Sequence, residues 1–273
     1  MTERSKTVSR LFTVGRVLLF CLSAAAGLAM ASRVTQGVSK DYSEYVMLII
    51  AGIITLGLTL LFTRWERLRL RDIGLKPDRS SALRVGIGFL IGLMLASLQP
   101  ALVVLVGHVK LVPAPNITFG AILASSALFF LAACREELAF RAFPLRSLTY
   151  RMGAWRAQLI VAIIFSLEHV AGGMSWSGAF LGSGVGALFF GIAALRSKGL
   201  ALPVGLHAAW NTGQWALGFK QVPGIWQAVV EKGYETSVER TGFISYLLVM
   251  GLAILSLYLF WPDCPDIKSQ KCA

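Results

Sequence analysis

The sequence predicts an all-α fold: a polytopic membrane bundle of about eight transmembrane helices around a polar intramembrane cavity. Three observations carry that prediction. Hydrophobic residues make up 56% of the chain and charged residues 15%, against about 25% charged in soluble domains. Apolar stretches recur along the chain at lengths that cross a hydrocarbon core about 30 Å thick. A few ionisable residues lie inside those stretches, where a charge is costly enough that it usually marks a site.

The stretches follow in order. The first, 11–31, comes after a basic leader with Arg4, Lys6 and Arg10. With Ala29, Met30 and Ala31 it has the outline of a cleavable signal peptide, but the leader is long and seven further stretches follow, so an uncleaved span is expected. Stretches 45–63 and 85–107 flank the longest cytoplasmic loop, 64–84, whose segment Arg64–Arg71 is expected to lie on anionic headgroups. Stretch 117–138 carries Arg135, Glu136 and Glu137, and the short stretch 156–171 carries Glu168 and His169. In 177–195, Gly178, Gly182 and Gly186 recur at four-residue spacing, which predicts a small-residue face for close helix packing. Stretch 199–217 carries His207 and Asn211, and 242–261 ends the series. The external loop 218–241 mixes Trp226 and Tyr234 with acids and bases and reads as an interfacial segment or a lid. No repeat divides the chain, so 1–273 is read as one membrane domain.

The net charge of +12 has a topological explanation. With an internal N-terminus and loops assigned alternately, 19 of the 26 Lys and Arg residues fall inside and 6 outside; Arg135 stays at the site. That asymmetry is the positive-inside pattern. It predicts a protein of the cell membrane with both termini cytoplasmic, and it removes the need for a nucleic-acid partner. The four cysteines show no CxxC pair, so no disulfide or cysteine metal site is expected. Cys272 is second from the end, so the tail is not a prenylation box.

Three pairs at i,i+4 spacing share helix faces: Glu137 with Arg141, Phe165 with His169, and His207 with Asn211. Glu136 lies about 100° around its helix from Glu137. If these helices meet, carboxylates, imidazoles, a carboxamide and a guanidinium converge. A carboxylate near a histidine holds and deprotonates a water, and a carboxamide with a histidine donates to a developing oxyanion. The same inventory, Glu136, Glu137, His169 and His207, also offers ligands for a catalytic zinc with an open position. Both versions predict hydrolysis of an amide. No Gly-x-Ser-x-Gly and no His-Glu-x-x-His is present. His108 falls outside these pairs and reads as interfacial; Trp210 and Trp215 read first as core or belt residues, with the lining of a hydrophobic substrate groove as the alternative.

Glu136-Glu137-Leu138-Ala139-Phe140-Arg141 matches an EExxxR motif, Phe165-Ser166-Leu167-Glu168-His169 matches FxxxH, and His207-Ala208-Ala209-Trp210-Asn211 matches HxxxN. In this order, inside membrane spans, the set resembles the CPBP family of intramembrane proteases, which includes the type II CAAX prenyl endopeptidases. The resemblance covers about 74–217, beginning at Gly74-Leu75-Lys76-Pro77. It implies an eight-helix membrane fold and peptide-bond cleavage by a glutamate-activated water. Residue by residue it implies Glu136 as the base, His169 as its partner in holding water, and His207 and Asn211 at the oxyanion. Glu137 and Arg141 support the site. Glu168 lies outside the family motif and is read as a supporting residue, paired with Arg135 or tuning His169. A membrane-associated or prenylated peptide is the implied substrate. Two other classes remain: a non-proteolytic scaffold, immunity or regulatory protein of the same fold, and an ion-coupled transporter, against which the lack of repeated halves counts.

Overall fold

The computed structural model describes residues 3–220 and 224–260. Cys264 and Cys272, with Lys268 and Lys271 of the charge count, lie outside the described residues. The helices are α1 Glu3–Val34, α2 Lys40–Trp65, α3 Ser81–Val106, α4 Phe119–Glu137, α5 Phe143–Met152, α6 Ala154–Ala171, α7 Gly184–Ser197, α8 Ala201–Ala216 and α9 Glu235–Phe260. Among the described residues seven segments are long and apolar enough to cross a membrane. The seventh sequence stretch, 199–217, forms α8, which has 16 residues. It is short because its job is internal: most of its residues are buried, so its ends need not reach both headgroup layers.

The closest helix pair is α3 against α8. Glycines at both surfaces let the backbones approach. A Cβ on Gly92 would stand 2.6 Å from the Leu206 carbonyl oxygen, and Cβ atoms on Gly88 and Gly205 would strike the carbonyls of Leu202 and Val85. This is the four-residue small-residue device, placed in a different helix from the one expected. Gly182 would meet nothing within 4 Å, and Gly178 and Gly186 line a cavity with it. The expected packing face is therefore a cavity wall, cut back to leave room.

A second core lies under α1. Val17, Phe20, Cys21 and Ala24 are buried with Phe62, Phe140, Phe143 and Phe165. Phe20 meets Phe62 edge-on at 5.4 Å and Phe143 at 5.3 Å, a geometry that adds to simple burial.

The fourth sequence stretch continues further than expected. α4 runs into a π turn, Leu138–Ala142, and then into α5, so one helical path covers Phe119–Met152. Pro144 in the first turn of α5 explains the break, because proline has no N–H and its ring clashes with the carbonyl four residues earlier. The basic count changes with it. Arg141 and Arg146 are buried within the bundle rather than in a cytoplasmic loop, and Arg146 donates to the Ala194 carbonyl at 2.6 Å.

Several other basic residues gather at one end. Arg10 donates to the Arg151 carbonyl, Arg16 pairs with Glu66 at 3.2 Å, and Arg84 donates to the Ser197 carbonyl. Arg196 donates to the Leu257 carbonyl. Those bonds tie the leader, the loop after α2, and the ends of α5, α7 and α9 into one layer. The opposite end carries a feature that was not expected: two strands, β1 Val109–Pro113 and β2 Trp226–Val230, paired antiparallel from Val109↔Val230 to Pro113↔Trp226. The loop read as a lid is thus partly a β ribbon. His108 stands beside it, stacked on Tyr234 at 3.4 Å and bonded to Glu231 at 2.7 Å.

Candidate active site

The motif residues come from three elements that meet near the middle of the bundle. α4 and the π turn supply Glu136, Glu137 and Arg141; α6 supplies Glu168 and His169; α8 supplies His207 and Asn211. π turns inside helices often mark functional sites. Here the turn follows directly on the glutamates and carries Arg141 back toward them.

Glu137 and Arg141 are both fully buried, with Oε1 3.3 Å from the guanidinium. The arginine also faces three aromatic rings, nearest that of Phe165 at 4.7 Å, and its guanidinium donates to the Ala187 carbonyl. A buried guanidinium without a carboxylate would be very costly, so the pair is obligatory once either member is present. Glu137 Oε1 also takes the Nδ1 hydrogen of His207 at 2.9 Å. The other oxygen, Oε2, is buried with no hydrogen-bond partner among the described residues.

His207 joins the two glutamates. Its Nε2 lies 3.7 Å from Glu136 Oε2, and its ring stacks on Phe190 at 4.5 Å. Because Nδ1–H is given to a carboxylate, the ring orientation is fixed and Nε2 is presented toward Glu136. Glu136 keeps 23% of its side chain accessible, so the adjacent carboxylates differ sharply in environment. His207, His169, Arg135 and Arg141 are all within electrostatic reach of Glu136.

His169 is oriented by its own helix. Its Nδ1 is 2.9 Å from the Phe165 carbonyl oxygen, so that nitrogen carries the hydrogen and Nε2 is left as an acceptor. The i,i+4 spacing of Phe165 and His169 therefore has a backbone meaning beyond the ring contact at 4.4 Å. Glu168 is paired with Arg135, whose side chain is 4% exposed. That arrangement fits the pairing with Arg135 among the roles read from sequence.

A cavity of about 530 Å³ is lined by His169, His207 and Asn211, with Trp210 and Gln214. Glu136 is reached through His207 rather than forming the wall itself. Lys220 also lines the cavity. Sequence reasoning placed that lysine in an external loop; its position just after the His207 and Asn211 helix was the available signal. Trp210 lines the cavity, edge-on to Tyr246 at 5.7 Å, while Trp215 is a core residue.

Zinc is one reading of Glu136, Glu137, His169 and His207. Among the described residues no three His, Cys, Asp or Glu side chains converge as ligands. Each histidine spends Nδ1 on a protein acceptor and leaves Nε2 open, and Glu137 is held by Arg141 and His207.

No curated protein matches the sequence. Residues 116–213 match the family model described as Rce1-like, type II CAAX prenyl endopeptidase, a shorter segment than the 74–217 read from the motifs. The match spans all three motifs and supports a membrane protease of the CPBP family.

Proposed function

We propose that the chain is an intramembrane endopeptidase that hydrolyses a peptide bond with a water activated by Glu136 and His169. The observation that carries the reading is the bridging of Glu136 and Glu137 by His207 at the edge of a cavity that also holds His169 and Asn211. His169 Nε2, free to accept, holds the water. Glu136 takes one proton as the water oxygen adds to the carbonyl carbon. The oxyanion that forms is met by the Asn211 carboxamide, and by His207 in the form that carries a hydrogen on Nε2 as well as on Nδ1. Collapse breaks the C–N bond, and the Glu136 proton passes to the leaving amine. General-base assistance of this kind is worth about 10²–10⁴ in rate, and one oxyanion donor about 10²–10³. Glu137, paired with Arg141, holds His207 in place.

The cavity lies toward the β-ribbon end. His169 is 15 residues along α6 from Ala154, about 22 Å from the basic layer. Met174 and Lys220, in the connections beyond α6 and α8, complete its wall. With the basic layer cytoplasmic, substrate enters from the outer half of a cell membrane. That approach favours a membrane-associated peptide on the outer side over a prenylated cytoplasmic tail. The test is cleavage of reconstituted membrane-bound and prenylated peptides by wild type, Glu136→Ala and His169→Ala. Loss of cleavage in both variants is expected. Equal cleavage by all three would reject the proposal, and phenotypic rescue by Glu136→Ala would favour a scaffold.

A further inference from the structure

Lys220 is aimed at the cavity by a backbone device. α8 ends in a turn in which the Phe219 N–H donates to the Gln214 carbonyl at 2.9 Å and the Gly218 N–H to the Trp215 carbonyl at 3.0 Å. This double bond pattern requires a left-handed residue after the helix, and Gly218 supplies it with φ +76°. β2 lies hard against the turn: a Cβ on Gly218 would be 2.6 Å from the Trp226 carbonyl oxygen. The next side chains fold back over the helix end, and Lys220 Nζ sits 5.1 Å over the Phe129 ring.

Among the described residues lining the cavity, Lys220 is the only lysine or arginine. Its neighbours there are mostly aromatic or neutral, including Trp210, Phe243 and Met250. Among the described residues no carboxylate pairs with it at contact distance; Glu136 acts on it only through the longer-range field. Burial pulls its ammonium below the ordinary lysine range, and Glu136 opposes that pull. A largely buried ammonium held over an aromatic ring is a receptor for an anion. A peptide entering this cavity has one type of anion to offer.

We infer that Lys220 is the specificity residue of the cavity and receives a carboxylate of the bound peptide. The inference rests on the proteolytic reading for the identity of the ligand. The carboxylate is either the free C-terminus or an Asp or Glu side chain. Lysine recognises both as a point charge, so the experiment must separate them.

Full-length protein in lipid nanodiscs carries Glu136→Gln, so that bound peptide is not consumed. One fluorescent apolar peptide is offered as the free acid, as the C-terminal amide, and as the amide with an internal Asp. Anisotropy gives each affinity, with and without Lys220→Gln or Lys220→Arg. The free acid, the Asp peptide or both should bind about tenfold tighter than the plain amide, a change of about 1.4 kcal/mol. That preference should vanish in Lys220→Gln and persist in Lys220→Arg. It should also fade as pH rises through the lowered Lys220 value, and not in Lys220→Arg. Which peptide gains identifies the source of the carboxylate. Equal binding of all three peptides, or an unchanged preference in Lys220→Gln, overturns the inference. Cleavage by the otherwise wild-type chain is scored separately: absence of cleavage with a Lys220-dependent preference counts against hydrolysis and leaves the carboxylate site standing.

Discussion

Replacing Glu137 by Leu removes the carboxylate from a fully buried pair. The Arg141 guanidinium would keep the Ala187 carbonyl and the faces of Phe140, Phe165 and Phe190. Breaking one side of a buried pair costs about 3–5 kcal/mol. Aromatic faces at a desolvated site return up to about 2 kcal/mol, but they are present before the change as well, so the expected loss stays near 3 kcal/mol. Arg141→Met should cost a similar amount. The double variant removes both charges and should lose much less than the sum, with a coupling energy of about 2 kcal/mol or more. Activity should not follow stability. The double variant still lacks the acceptor for His207 Nδ1, so it should be folded and inactive, whereas Glu137→Gln retains an acceptor oxygen and should keep part of the activity. Reversible unfolding in mixed micelles, followed by tryptophan fluorescence, gives the stabilities, and peptide cleavage gives the rates. Additive single losses would refute the buried pair. A fully active double variant would refute the positioning of His207.

In a chain without its native cysteines, Met174→Cys should react with a membrane-impermeant maleimide from outside intact cells, and Arg79→Cys only after permeabilisation; the reverse pattern would invert the topology. Gly92→Val should destabilise the bundle by about 1–3 kcal/mol, because its new atoms meet the Leu206 backbone. Gly86→Val, with open space around it, is the control. Gly218→Ala combines a strained φ with a clash on β2, so it should weaken carboxylate binding while leaving the far-ultraviolet helix signal intact. Asp78 accepts from Ser80 Oγ at 2.7 Å and from Ser81, and these bonds hold its carboxylate below the ordinary aspartate range. A lowered folded value means stabilisation that is complete above the ordinary pKa of about 4 and lost as pH falls through the lowered one. Hydrogen exchange in the first turn of α3 should therefore accelerate below that value.

Much of the bundle was legible because bilayer length and hydropathy constrain spanning helices strongly. The site was legible in part because i,i+4 spacing fixes a helix face. Phe165 with His169 and Glu137 with Arg141 are contacts within one helical path, and both occur. What spacing does not carry is the relation between helices. The bridging of the two glutamates by His207 depends on how α8 lies against α4. The direct approach of Gly88 and Gly92 to α8 was present as a four-residue repeat, yet the repeat at Gly178 looked equivalent on paper. Only the neighbour decides whether small residues admit a backbone or leave a cavity. The strands were hidden for a related reason: Val109–Pro113 and Trp226–Val230 are short and more than a hundred residues apart. Lys220 was assigned to its loop but not to the cavity, because hydropathy assigns a residue to a side, while the turn at Gly218 decides where its side chain goes.

Single-turnover cleavage in water enriched in ¹⁸O tests the central claim most directly. The new carboxyl group of the released N-terminal fragment, read by mass spectrometry, should contain one ¹⁸O atom from the first turnover, and Glu136→Gln should yield no product on the same timescale. First-turnover product with unlabelled oxygen would mean that a side chain, not water, attacks the peptide. Undiminished labelled product from Glu136→Gln would mean that Glu136 does not activate the water.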